Sequence, residues 1–369
     1  MREMVVMGRF LIISASMGAG HDAVAAELSA RLRENGHHTA CADILALMPA
    51  GAGRAMRAAY RGTLRHCPWA YEAVYSAFFR ERGVPGTRAS WIPDTDLLAA
   101  VLEPRLRRLI DRWRPDSVVS TFHQAAQVTG RLRASGGCPP STVVVTDFAV
   151  HRQWLHAGND LYLCPTETVA ARVRTVTGRP AQACGPIVPA AFTATSQDRQ
   201  SRWAQTLALH GPGRQVVLLS TGAWGTGSQL INTAKLLAGE NYLPVLLCGR
   251  DRRLHSRAKK HPGVLAMGWV QDLPGLMSAS GALVDNAAGQ TAVQAIAAGL
   301  PVIGYHPIPG HGVEGVREMA SAGITAHAAS RSELLSALDR LICPGPTRTN
   351  RIAAARAIFI SDAAELIAR

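Results

Sequence analysis

Runs of apolar residues closed by glycine turns alternate with stretches of helical periodicity along most of this chain. Phe10-Leu11-Ile12-Ile13-Ser14 is almost wholly apolar, lies between Gly8 and Gly18-Ala19-Gly20, and reads as a strand covered on both faces. From His21 to Asn35 apolar residues recur at Val24, Ala25, Leu28 and Leu32, the spacing of one helix face, and Gly36 ends the run. Further strands are predicted at His38 to Asp43, Ser117 to Thr121, Thr142 to Phe148 and Asp160 to Cys164. After Gly185-Pro186-Ile187-Val188-Pro189 the pattern turns polar until Gly211-Pro212-Gly213, as in a connection between domains. A second series then opens, with strands at Gln215 to Ser220, Leu243 to Cys248, Gly281 to Asp285 and Pro301 to Tyr305. Its helices run to Leu237 and from Thr291 to Ala298. Cys343-Pro344-Gly345-Pro346 breaks the chain before a final helix that reaches nearly to Arg369.

Two such series in 369 residues predict an α/β protein of two domains. The first covers 1–190 with an insertion at about 48–91, the connection 191–212, the second domain 213–343, and the terminal helix 344–369. The insertion is the most unusual stretch. Between Ala52 and Trp91 stand Tyr60, Trp69, Tyr71, Tyr75, Phe78 and Phe79, and a helix there would stack Arg54, Arg57, Arg61 and Arg65 on one stripe beside Met56, Tyr60 and Leu64. With Trp69 this is an interfacial pattern suited to an anionic membrane surface, the alternative being an ordinary helical subdomain with a basic face.

Charge widens that question. Lys plus Arg number 39 against 26 Asp plus Glu, for a net +13, and only three of the bases are Lys. Such an excess suits phosphorylated ligands, lipid headgroups or nucleic acid, although a general preference for Arg gives the same balance. Arg250 to Lys260 holds six bases but no interleaved aromatic residue, which favours a solvated surface over a nucleic-acid groove. The seven cysteines are scattered without a C-x-x-C, so a reducing cytoplasm fits better than a disulfide framework or zinc. No run of 18 uncharged apolar residues would span a bilayer, so membrane contact is expected to be peripheral, at the inner face of the cell membrane.

Chemistry concentrates at the glycine turns. A strand, Gly18-x-Gly20 and a helix place backbone N–H groups at the mouth of a parallel sheet, where anions and small ligands bind. Gly18, Gly20 and Ala23 with Asp43 after the next strand also fit a dinucleotide fingerprint, and so an NAD-dependent oxidoreductase. His21 separates the readings: next to Gly20 it would crowd a pyrophosphate but serve as base for a hydroxyl, unless it merely caps the turn. Asp147 at a strand end either orients such a base or caps a helix. Gly222, Gly225 and Gly227 form a second flexible turn, and Ala288, Gly289, Gln290 and Thr291 open a helix whose N-terminus suits a diphosphate. Arg250 is placed to neutralise a phosphate. His151 and His156, like His306 and His311, are five apart, poor spacing for metal ligands on one helix, and no metal site is predicted.

Ser16-Met17-Gly18-Ala19-Gly20-His21 before an Ala-rich helix resembles the start of the monogalactosyldiacylglycerol synthase family. The resemblance continues through Arg114-Pro115-Asp116, Ser120 to His123, Thr146-Asp147 with His151 and Trp154, Cys164-Pro165-Thr166-Glu167 and Gly185-Pro186-Ile187 with Phe192. Beyond the connection it takes in Cys248-Gly249-Arg250, Gly268-Trp269-Val270, Gly299-Leu300-Pro301 and Ile308-Pro309-Gly310. It implies two Rossmann-like domains facing a central cleft, the glycosyltransferase type B arrangement, with a lipid acceptor on the first domain and a UDP-sugar on the second. It also implies an inverting hexosyltransfer to diacylglycerol with His21 as base, no metal cofactor and no nucleic-acid partner. Trp269 and Val270 fall where relatives contact uracil. The chain departs from the family in the donor loops: Ala288-Gly289-Gln290-Thr291 replaces Gly-Pro-Gly-Thr, Gln294 replaces the Glu that holds the ribose, and His311-Gly312 replaces Gln-Glu. An amide has one acceptor oxygen where a carboxylate has two, so a non-catalytic lipid- or nucleotide-binding relative is the competing reading.

Overall fold

The computed structural model describes residues 7–79, 96–194, 196–220, 222 and 229–369. Its residues fall into two compact units. The first takes Met1–Tyr60, Ala70–Ile187 and Ile358–Arg369, so far as these are described, and the second takes Arg61–Trp69 and Val188–Ala357.

In the first unit six strands, β1 (Arg9–Ser14), β2 (His38–Asp43), β3 (Ser117–Ser120), β4 (Ser141–Val144), β5 (Leu161–Cys164) and β6 (Ala181–Ala183), form one sheet in the order β2-β1-β3-β4-β5-β6. Every pairing is parallel. Alternation along β1 explains its unbroken apolar run. Phe10 and Ile12 pack with Val24, Leu28 and Leu32 of helix α1 (Ala19–Glu34), whereas Leu11 and Ile13 pack on the opposite face with Ile44, Leu102 and Leu106. Each such side chain, fully buried, contributes about 1.5–3 kcal/mol. The strand order changes direction between β1 and β3, and ligands bind outside the strand ends at such a switch.

The second unit repeats the plan with β7 (Gln215–Ser220), β8 (Tyr242–Leu247), β9 (Leu265–Met267), β10 (Ala282–Asp285), β11 (Val302–Tyr305) and β12 (Ala326–Ala328), ordered β12-β11-β10-β7-β8-β9. Its switch point lies between β7 and β10.

Several sequence expectations need correcting. The 191–212 connection contains a helix, Gln197–Ala208, whose cap is the Ser196 side chain accepting from the Arg199 N–H. The terminal helix is two, Pro346–Arg356 and Ala363–Ala368, because the Ile360 and Ser361 N–H groups donate to the Cys184 carbonyl and turn the chain onto the first unit. The strand expected to reach Phe148 stops at Val144, which places Asp147 in the following loop.

The insertion forms helices α2 (Ala52–His66) and α3 (Pro68–Phe78). Helix α2 stacks Arg54, Arg57, Arg61 and Arg65 on one stripe, as their spacing predicts, and internal partners hold two of them. Arg57 donates to Ser16 Oγ at 2.8 Å and Arg65 pairs with Asp251 at 2.6 Å, while Arg61 is half-buried and Arg54 exposed. Most of the aromatics also turn inward. Tyr71 and Tyr75 are buried, whereas Trp69 stays 75% exposed. Periodicity placed these residues on faces but carried no information about which face the fold would claim. Trp91 lies outside the described residues.

Candidate active site

His21 occupies the first turn of α1, directly after the β1 switch point. Gly18 precedes the helix with extended backbone, and nothing lies within 4 Å of where its Cβ would be. The His21 Nδ1 is 3.0 Å from the Thr121 carbonyl oxygen. That carbonyl is held in place because the Thr121 N–H donates to Ile13 O at 2.9 Å. A carbonyl only accepts, so Nδ1 carries the proton and Nε2 keeps its lone pair. Thr146 Oγ1 lies 3.3 Å from the same Nδ1, and its hydroxyl donates to Asp147 Oδ1 at 3.4 Å. Thr146 thus links the Asp147 carboxylate to the His21 ring.

Asp147 is itself firmly fixed. Trp154 Nε1 donates to its Oδ2 at 2.8 Å, and His151 Nε2 stands 3.5 Å from the same oxygen. Burial pushes the Asp147 carboxyl upward, but His151, His21 and the indole N–H outweigh burial and hold it well below the usual carboxylate range. For His21 burial lowers the pKa and prevails over the raising effect of Asp147. A helix N-terminus also disfavours the imidazolium. His21 is thus a neutral imidazole with an available Nε2 at pH 7.

An aromatic wall backs this group. Phe79 stacks on Tyr75 at 5.3 Å and meets His123 and His151 edge-on at 5.3 and 4.8 Å, while Phe122 meets His21 at 4.9 Å. Arg152 ties the wall to the loop by donating from Nε to the Phe78 carbonyl at 2.6 Å. The insertion read as interfacial therefore furnishes one side of the His21 site. Thr121 was not among the predicted residues, since a backbone acceptor leaves no mark on the side-chain pattern.

In the second unit a cavity of about 210 Å³ opens at the β10 and β11 strand ends, lined by Gln229, Thr233, Asn286, Tyr305, His306 and Pro309 among others. Among the described residues, none of the predicted donor residues lines it. Ala288, Gly289, Gln290 and Thr291 stand beside it, leading into the helix Gln290–Ala297, whose N-terminus no side chain caps. The loop is shaped by buried Asp285, whose Oδ2 accepts from the Ala287 and Ala288 N–H groups at 2.9 and 2.7 Å. This holds Ala288 at φ +51°, a left-handed conformation costly for any residue with a Cβ. Gly312 and Gly315, on the helix His311–Ser321, pack against the same loop. A Cβ on Gly312 would lie 2.4 Å from Ile308 Cγ1 and 3.1 Å from Asn286 O, and one on Gly315 would lie 3.0 Å from Ala288 Cβ. The Glu expected at position 312 has no room here. Gln294 is half-buried on its helix, as is His311 at the start of its own. Arg250 lies over the Trp269 ring, 4.6 Å from its centre, and Val270 is half-buried beside it. Gly222 has φ +62°; Gly225 and Gly227 lie outside the described residues.

The carboxylate a dinucleotide ribose would need is occupied. Asp43 accepts from Ser16 Oγ at 2.5 Å, from the Ser16 N–H at 3.3 Å and from the Leu45 N–H at 2.9 Å. Gly18, Gly20 and Asp43 thus make a braced turn. Among the described residues no three His, Cys, Asp or Glu side chains gather to hold a metal, and no helix is long and apolar enough to cross a membrane.

Residues 21–188 match the family model of monogalactosyldiacylglycerol (MGDG) synthase. The chain is 23% identical over 269 residues to a processive diacylglycerol beta-glucosyltransferase of Bacillus licheniformis, covering 71% of this chain and 70% of that one. A protein of the same description from Staphylococcus aureus is 23% identical over 271 residues, covering 72% and 69%. Among solved structures, Acinetobacter baumannii MurG is similar with a TM-score of 0.59 at 12% identity, over 98% of both chains. Anabaena Alr3699/HepE, in complex with UDP and glucose, is similar with a TM-score of 0.58 at 14% identity, over 98% and 97%. The resemblance legible in the sequence therefore holds: residues 21–188 match the monogalactosyldiacylglycerol synthase family, and the two six-stranded units have the two-Rossmann-domain fold of type B glycosyltransferases.

Proposed function

We propose that this protein is an inverting hexosyltransferase that moves a sugar from a UDP-sugar to the hydroxyl of a diacylglycerol-like lipid, working peripherally at the cytoplasmic face of a membrane. The observation that carries the reading is the His21 tautomer, with Nδ1–H committed to the Thr121 carbonyl and Nε2 left as a base. Nε2 takes the proton of the acceptor hydroxyl while that oxygen bonds to the anomeric carbon. The bond from that carbon to the UDP oxygen breaks, and UDP leaves with the electron pair. The Thr146 and Asp147 relay stabilises the imidazolium that forms. The helix N-terminus at Gln290 and the turn at Gly222 are suited to the departing diphosphate charge, a task that oriented N–H groups perform without a metal. The relatives described as diacylglycerol beta-glucosyltransferases support the lipid acceptor, and the neighbour holding UDP supports the donor.

The direct test is thermal unfolding with nucleotides. UDP at a hundred times its Kd is expected to stabilise the protein by about 2.7 kcal/mol, with no shift from NAD or NADP. Stabilisation by NAD alone would remove the glycosyltransferase reading, whereas UDP binding without turnover of any UDP-hexose would leave a nucleotide-binding relative.

Gln294 tests the donor side more finely. If its helix carries the ribose, Gln294→Glu exchanges a neutral acceptor for a charged one, a gain of about 1 kcal/mol or roughly fivefold in UDP affinity by titration calorimetry. Unchanged or weaker affinity would place the ribose elsewhere.

A further inference from the structure

The helix Arg252–Ala258 turns Leu254 and Ala258, four apart, into the core of the second unit. Its other face is left to solvent: Arg252, Arg253 and Arg257 are exposed, followed by exposed Lys259 and Lys260. The acid in this stretch, Asp251, does not offset them in solvent. Its side chain is 7% exposed, caps the helix by accepting from the Arg253 and Leu254 N–H groups, and pairs with Arg65 at 2.6 Å. That ion pair supplies what the local sequence lacks. It fastens the segment Arg61–Trp69 to the second unit at the start of this helix, and the segment ends in Trp69, 75% exposed. An exposed indole on a segment pinned by Arg65 to the start of a helix with exposed, uncompensated cations is the composition of a bilayer interface, where the ring settles at headgroup depth and the cations meet anionic lipid.

We propose that the face formed by Arg252, Arg253, Arg257, Lys260 and Trp69 docks the second unit on an anionic lipid surface. It deepens the proposed function by naming a membrane-facing surface of the unit read as donor-binding. It replaces the α2 arginine stripe, of which Arg57 and Arg65 are held by internal partners. A lipid bilayer is favoured over nucleic acid because the bases stand on the exposed side of a single helix with one indole, not in a groove lined by stacking aromatics.

The test is sedimentation of the full chain, without nucleotide sugar, with vesicles of phosphatidylcholine alone or mixed with phosphatidylglycerol. The natural protein is expected to bind only the anionic vesicles and to release partly in salt. Each basic residue near such a surface is worth about fivefold, so Arg253→Gln with Arg257→Gln and Lys260→Gln should weaken binding about 100-fold. Trp69→Ser should abolish the salt-resistant remainder, and Arg54→Gln should change nothing. UDP-induced stabilisation, unaltered in the triple variant, shows that the variant is folded and separates this proposal from the catalytic one. Equal sedimentation of natural and triple-variant protein, absence of vesicle binding, or tighter binding to an oligonucleotide that displaces vesicles would each overturn it.

Discussion

Replacing His21 by Ala is expected to lower the turnover of a UDP-hexose by about 100-fold or more while leaving UDP affinity nearly unchanged, as for loss of a general base. The split follows from placement, since His21 belongs to the first unit and the candidate nucleotide loops to the second. The pH dependence carries the same signature. Burial lowers the His21 pKa from its ordinary 6.5, so the neutral base predominates at pH 7 and the rate should fall on an acid limb below 6.5. Stability moves in the same direction: between 6.5 and the lower folded value the unfolded chain binds this proton and the folded chain does not, so stability is lost as pH falls through that window. Asp147 adds a further loss below its ordinary 3.8. A His21→Ala protein with natural turnover would remove this residue from the mechanism.

The largest stability effect is expected at Trp154. Its side chain is fully buried, and truncation to Ala removes both the packing and the donor to Asp147, a loss of about 3–5 kcal/mol. Trp154→Phe keeps much of the volume but leaves Asp147 Oδ2 without the indole N–H, which should cost about 1–3 kcal/mol. It should also reduce turnover, because a loosened carboxylate holds Thr146, and through it His21, less well. Chemical unfolding read beside initial rates distinguishes the effects. A Phe variant that is less stable yet turns over normally would mean that Trp154 serves packing alone.

What the sequence disclosed follows from how far each signal reaches along the chain. The β1 strand and α1 helix were legible because continuous burial, a glycine turn and helical spacing all fall within 30 residues. Strands β6, β9 and β12, each of three residues, were not predicted, since so short a segment shows no periodicity and is stabilised by pairing with a longer neighbour. His21 stood out beside its glycines, but the carbonyl that fixes its tautomer belongs to a residue 100 positions away. Asp43 suited a dinucleotide ribose until its oxygens were traced to Ser16 and Leu45. The basic run at Arg250 to Lys260 read as a solvated surface because nothing in its own sequence shows that Asp251 pairs with Arg65, 186 positions away.

The close packing of Gly312 and Gly315 on the loop from Asn286 to Ala288 makes the two stretches thermodynamically one part. Side-chain volume added on one is felt at once by the other, so their substitution energies do not add, as is general for residues in contact. A side chain can be introduced at position 312 only once Ile308 or the Asn286 backbone has given way, which makes the order of substitutions, and not only their identity, a constraint on how these two stretches can change.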